Sequence, residues 1–138
     1  MPKRDYYHHE IRKAFEEDGW TVTDDPLQVL WEDRLHFPDL GVERVIAIER
    51  GKEKLAVEIK SFLGQNFSHD FYEAMGQYDN YYFALAEVEP DREVVLAISS
   101  ITYEKFFQKK FVIRLLELKK IPLVVIDVEK EAILLWIR

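Results

Sequence analysis

Cysteine is absent from the 138 residues, which removes disulfides, thiolate zinc sites and a cysteine nucleophile together. Proline and glycine number five each and stand singly along the chain, so neither a linker nor a low-complexity run divides it. One domain over residues 1–138 is expected. Long apolar runs are also missing: the stretches around 94–98 and 121–126 fall far short of the roughly 20 residues that cross a bilayer. The opening Met-Pro-Lys-Arg-Asp-Tyr-Tyr-His-His-Glu lacks the apolar segment of a secretory signal, so a cytoplasmic protein without a membrane partner is expected. None of the four serines sits in GxSxG, and no glycine run builds a phosphate loop. His9-Glu10-Ile11-Arg12-Lys13 starts like the zinc-protease motif HExxH but ends in lysine. Positive charge is in deficit as well, with 19 basic against 26 acidic residues and a net of −7. The overall field opposes a polyanion, and a nucleic-acid contact must be local, metal-assisted or shared with another subunit.

Apolar residues are plentiful, at 48%, and their spacing sets the elements. Tyr7, Ile11, Ala14 and Phe15 recur at helical spacing between Asp5, a candidate N-cap, and Gly19. Residues 20–23 and 27–31 read as short extended segments around Asp24-Asp25-Pro26. Residues 43–49 and 54–60 alternate on either side of Arg50-Gly51-Lys52-Glu53, which predicts a hairpin whose paired positions sum to 103. Ile46 then faces Val57 and Ile48 faces Leu55 on a core side, while Val45 meets Glu58 and Glu43 meets Lys60 on the other. Ser68 is placed to cap a long core helix to about Glu87, followed by a strand over 92–99, one helix over about 102–120, and strands over 123–127 and 131–137. The order αβ(ββ)αβαββ predicts an α/β fold with a central mixed sheet flanked by helices.

Glu58-Ile59-Lys60 is the sharpest local signal, because it puts a carboxylate and an ammonium on one face of a strand while Ile59 anchors the other. A solvent-facing hairpin side with a Glu43–Lys60 ion pair, worth roughly 0.2–1 kcal/mol, would explain it. A second explanation makes the carboxylates oxygen ligands for Mg²⁺ or Mn²⁺, with Lys60 orienting the attacking water and offsetting charge on the phosphate. Lys105, Lys109, Lys110, Arg114, Lys119 and Lys120 outnumber Glu104 and Glu117 in the 102–120 stretch; this face could track a DNA backbone or simply be solvated. Phe106, Phe107 and Phe111 are expected to fill core or a subunit interface.

Pro38-Asp39 followed by Glu58-Ile59-Lys60 resembles the PD-(D/E)xK nuclease superfamily. The strings Asp39-Leu40-Gly41-Val42-Glu43-Arg44 and Ala56-Val57-Glu58-Ile59-Lys60-Ser61-Phe62 resemble the XisH family. Asp18-Gly19-Trp20, Gly76-Gln77-Tyr78, Glu89-Pro90-Asp91-Arg92-Glu93 and Trp136-Ile137 extend the likeness over nearly the whole chain. The resemblance implies a restriction-endonuclease-like fold and a role in excision of the fdxN element, a DNA rearrangement of heterocyst-forming cyanobacteria. It makes Asp39 and Glu58 metal ligands, the Ile59 carbonyl a third, Lys60 the catalytic lysine, and Glu10 and Gln77 auxiliary residues from the helices before and after the strand. On the hairpin register Asp39 lies opposite Gly64, roughly 20 Å from Glu58 along a straight strand, whereas Glu43 is nearer and is the substitute ligand. The implied activity is Mg²⁺-dependent endonucleolytic cleavage of DNA by a homo-oligomer. The alternative is a non-cleaving regulator that binds DNA or a partner such as XisI and directs a separate recombinase.

Overall fold

The computed structural model describes residues 6–36 and 44–138. In chain order the elements are α1 (His8–Glu17), β1 (Thr21–Asp24), β2 (Val29–Trp31), β3 (Arg34–His36), β4 (Arg44–Arg50), β5 (Glu53–Ile59), α2 (Phe67–Val88), β6 (Arg92–Ser99), α3 (Ser100–Phe106), α4 (Lys110–Lys119), β7 (Leu123–Asp127) and β8 (Ala132–Ile137). Six strands form one sheet in the order β1-β4-β5-β6-β7-β8, and β2 and β3 form a separate pair. The sheet is mixed: β5, β6 and β7 run parallel, while β1, β4 and β8 are antiparallel to their neighbours. The predicted hairpin register holds, with Val45 opposite Glu58, Ile46 opposite Val57 and Ile48 opposite Leu55. Gly51 takes φ +60° at its turn, a conformation costly for a residue with a Cβ.

Period-two alternation sends successive side chains to opposite faces, and here both faces are core. Ile46, Ile48, Val57, Ile59, Val95, Ala97 and Val124 pack with Ile11, Ala14 and Phe15 of α1. Val45, Ala47, Ala56, Leu96, Ile98 and Val125 pack with Phe71, Ala74, Tyr78 and Leu85 of α2, and with Phe107 and Val112. The solvent-facing hairpin side is therefore not found: the 22-residue α2 covers the face that carries Glu58.

Several boundaries differ from the sequence pattern. The predicted order has one strand between α1 and the hairpin where the structure has three, β1, β2 and β3, and it joined α3 to α4. Phe107 and Val112 are both buried, yet positions five apart point about 140° apart on a continuous helix; a break at 107–109 lets both face the core. Asn66 rather than Ser68 caps α2, its side chain accepting from the His69 N–H at 3.1 Å. The helix α1 starts at His8 with Tyr7 at its cap position, and Asp5 lies outside the described residues. Among the described residues no helix is long and apolar enough to cross a membrane.

Candidate functional site

The strand β5 lies between β4 and β6 in the middle of the sheet, and its even-numbered positions face α2. Glu58 on that face is 0% exposed, and Lys60, the first residue past the strand, is 1% exposed. Ile59 between them is buried in the opposite layer. The Lys60 N–H donates to the Ala97 carbonyl at 3.2 Å, so the backbone is still locked to β6 where the ammonium leaves it. Lys60 Nζ donates to Glu73 Oε1 on α2 at 3.3 Å. Glu73 is itself about half exposed, at 45%, so the charged group runs from the buried strand out toward solvent along α2.

Beyond Lys60 the chain turns sharply and is clamped. The Ser61 carbonyl accepts from Thr102 Oγ at 2.9 Å, and Ser61 Oγ accepts from the Tyr7 N–H at 3.3 Å. Thr102 is fixed in turn by its N–H donating to Ser99 Oγ at 3.0 Å, the cap of α3. Phe62 adopts φ +55°, a left-handed backbone that costs a bulky residue of order 1–3 kcal/mol. That conformation sends its ring against Phe67 and Phe107, with centroids 5.5 and 5.4 Å away, and the buried aromatic contact offsets the strain. At Gly64 a Cβ would run into the Asp70 carboxylate, the movable end of a side chain on the first turn of α2, so a larger residue there requires that carboxylate to turn away.

Tyr78 of α2 joins the site from above. Its hydroxyl donates to the Val94 carbonyl at 3.0 Å. Burial pushes the phenol well above its ordinary pKa, and the negative charges of Glu93 and Glu58 add to the shift. Because the folded value is raised, the stability it contributes is complete below about pH 10, the unfolded value, and is lost as pH climbs toward the folded one. Tyr78→Phe is expected to cost about 1 kcal/mol at pH 8 through the lost hydrogen bond. The gap should then close by about 1.4 kcal/mol per pH unit above 10. Urea unfolding at pH 8 and pH 11 measures this, and a gap unchanged between the two would show that the phenol is not held protonated by its surroundings.

The residues singled out by sequence separate spatially. Glu58, the Ile59 backbone and Lys60 stand together at the strand end. Gln77 is half-buried one helical turn past Glu73, on the flank of α2 that meets Lys60. Glu10 sits in the first turn of α1, which packs on the opposite sheet face. Asp39 and Glu43 lie outside the described residues. Among the described residues no three of His, Asp and Glu gather as a metal-binding group. Glu73 and Tyr78 were missed by the sequence reading. The signal for Glu73 was its spacing four residues before Gln77, on one helix flank.

A mixed sheet between two helical layers, with a carboxylate and an ammonium both buried at the end of its middle strand, defines an α/β domain whose polar centre is built on the sheet. The family model described as XisH protein matches residues 1–134, and the chain belongs to the XisH family. A solved XisH family protein from Nostoc punctiforme PCC 73102 is similar at 36% identity and TM-score 0.88, over 97% of this chain and 100% of that one. A solved fdxN element excision controlling factor protein from Anabaena variabilis is similar at 39% identity and TM-score 0.87, over 96% of this chain and 98% of that one. Among curated proteins none matches.

Proposed function

We propose that this chain is a metal-dependent phosphodiesterase of restriction-endonuclease-like fold that acts on DNA during excision of a genomic element. The observation that carries the reading is the complete burial of Glu58 and Lys60 on one face of the middle strand. Removing a charge from water costs several kcal/mol even after relaxation, and an apolar pair at these positions would serve the fold better. Charges kept at such cost are characteristic of sites that use them.

The donor set suits a hard cation. Mg²⁺ is held by one or two carboxylates with waters and substrate phosphate completing its shell. Glu58 and the Ile59 carbonyl would hold it, with Asp39 or Glu43 as the second acid, Glu10 and Gln77 being auxiliary candidates. When bound, Mg²⁺ or Mn²⁺ supplies a Lewis acid that offsets phosphate charge and lowers the pKa of a water. Lys60, steadied by Glu73 and by the clamp on Ser61, is positioned to orient a water by hydrogen bonding and to stabilise charge growing on a phosphate oxygen. Tyr78, held neutral, keeps the roof of the site uncharged.

A second reading is favoured by the net charge of −7 and by the controlling-factor description of the Anabaena relative. It is a non-cleaving regulator of the same fold that binds DNA or a protein such as XisI and directs a recombinase, with homo-oligomers bringing two sites to one DNA. Plasmid nicking separates the two readings. The enzyme should relax supercoiled DNA with Mg²⁺ or Mn²⁺ and not with EDTA. DNA retardation without nicking at any divalent-ion concentration would support the regulator.

A further inference from the structure

The sheet ends in two unlike edges. At one, β1 is four residues long, carries Thr21, Thr23 and Asp24, and shifts register between Val22 and Asp24. Short, polar, irregular edges resist pairing with another chain. At the other, β8 runs for six residues as Ala-Ile-Leu-Leu-Trp-Ile, with no charge and no proline. Among the described residues only β7 pairs with it, so its outer row of N–H and C=O groups meets no strand. Leu134, Leu135 and Ile137 are 56%, 40% and 40% exposed. An apolar edge of this kind is a template for a further strand.

An irregularity in β8 selects which strand. A six-residue strand pairs antiparallel with a copy of itself over its whole length only if its first residue meets the other's last, and on a regular strand those two point to opposite faces. Here the register against β7 shifts between Val125 and Ile126, leaving Leu134 as an extra residue. Ala132 and Ile137 lie opposite Asp127 and Leu123, and so share one face. Ile133 and Trp136 share the other, in the layer of α1. The strand therefore matches itself when turned by half a circle about an axis normal to the sheet between Leu134 and Leu135. Ala132 then meets Ile137 of the second copy, a small side chain against a large one, and Ile133 meets Trp136, a β-branched and aromatic pair of the kind that stabilises sheets.

Charge at the strand ends agrees with the same register. Glu131 just before β8 and Arg138 just after it come opposite each other at both ends of the pair. Both stand on the α1 side of the sheet. Glu131 reaches His9 of α1 at 3.9 Å, while Arg138 lies over the Trp136 ring at 4.6 Å and reaches Glu93 at 3.9 Å. Those ion pairs are long, and they leave carboxylate lone pairs and guanidinium donors open to a partner.

We propose that β8 is a dimerisation edge, pairing antiparallel with β8 of a second copy so that the two six-stranded sheets run on as one, with Glu131 of each copy meeting Arg138 of the other. The two-fold axis closes the assembly at a dimer and removes the open apolar edge. It also leaves both Lys60 ends on one face of the joined sheet, with the β5 strands seven strand spacings apart, about 34 Å in all. The pairing stands independently of the chemistry at Lys60.

Sedimentation equilibrium of the full chain tests this. The parent should show a monomer–dimer equilibrium, and Leu134→Lys, which sets two ammonium groups beside the axis, should weaken it at least about tenfold. Glu131→Arg and Arg138→Glu each oppose like charges at both ends and should weaken it singly by a similar factor. An equimolar mixture of those two variants should form a dimer of one chain of each, and the doubly substituted chain should dimerise like the parent. Leu134 and Arg138 are exposed and Glu131 is half-buried, so the variants should stay folded, which circular dichroism and a thermal melt check. A parent chain that is monomeric at every concentration would overturn the proposal. So would a dimer that Leu134→Lys and both single reversals leave intact, or a mixture of the two reversals that stays monomeric.

Discussion

Lys60→Ala is expected to lower Mg²⁺-dependent nicking about 10²–10³-fold, the loss typical of removing one donor aimed at transition-state charge. The substitution takes away a side chain that is 1% exposed and bonded to Glu73 at 3.3 Å. Glu73 is half exposed and stays hydrated without its partner, while the truncated Lys60 leaves a cavity that lowers stability; a thermal melt on the same sample separates lost folding from lost chemistry. Rates at saturating DNA locate the defect. A fall in kcat with little change in KM marks a group acting in the transition state, whereas a rise in KM alone marks uniform binding. Glu73→Gln keeps the ammonium and loosens its tether, so its effect should be smaller than that of Lys60→Ala. Nicking that survives Lys60→Ala unchanged would place the activity elsewhere.

Arg92→Ala is expected to destabilise the fold strongly at a position away from that site. The Arg92 side chain is 4% exposed, and its guanidinium fills all its donor positions. Nε and Nη2 fork onto Glu89 at 2.9 and 3.1 Å, and Nη2 also meets Glu49 at 2.9 Å. Nη1 donates to the Leu55 carbonyl at 3.0 Å and to the Ile48 carbonyl at 3.4 Å. One side chain thus ties β4, β5 and β6 to the residue that caps α2. Burial opposes the charge, but the hydrogen bonds to Glu89 and Glu49 outweigh it and raise the pKa above the ordinary value, so the group stays charged at every working pH. Breaking a buried pair costs about 3–5 kcal/mol. Glu49 and Glu89 are about one-third exposed, which reduces the expected cost to roughly 2–4 kcal/mol, or a Tm lower by about 6–15 °C for a domain of this size. Arg92→Lys keeps the charge without the planar fork and should recover part of the loss. Urea unfolding in which Arg92→Ala lies within about 0.5 kcal/mol of the parent would show that the guanidinium contacts do not bear on stability.

What was legible from sequence was local and periodic. Residues 45–48 and 55–57 are apolar segments on either side of a turn with one glycine, so the register of β4 against β5, and with it the shared face of Val45 and Glu58, followed from placing that turn and from pairing geometry. Alternation says which side chains share a face; it does not say what covers that face. Whether Lys60 meets water or α2 depended on how the helix returns across the sheet, a non-local fact. The break between α3 and α4 was hidden for a related reason, since Phe106, Phe107 and Phe111 suit a helix at every position and only the core selects which ring is buried. Arg92 was quoted within a family string, Glu89-Pro90-Asp91-Arg92-Glu93, without a role; Glu89 in that string is one partner, and the others, Glu49 and the Ile48 and Leu55 carbonyls, lie on strands more than 35 residues earlier. Ser61, Thr102 and Ser99 likewise gain their joint role only once α3 stands beside the end of β5.

Calorimetric titration of Mn²⁺ into the parent chain and into Glu58→Gln bears most directly on the buried centre. The parent should take up the ion saturably, and the variant, which keeps the shape and loses the charge, should bind at least about tenfold more weakly. A parent chain that takes up no divalent ion, or a Glu58→Gln variant that binds it equally well, would contradict a metal site at the end of β5.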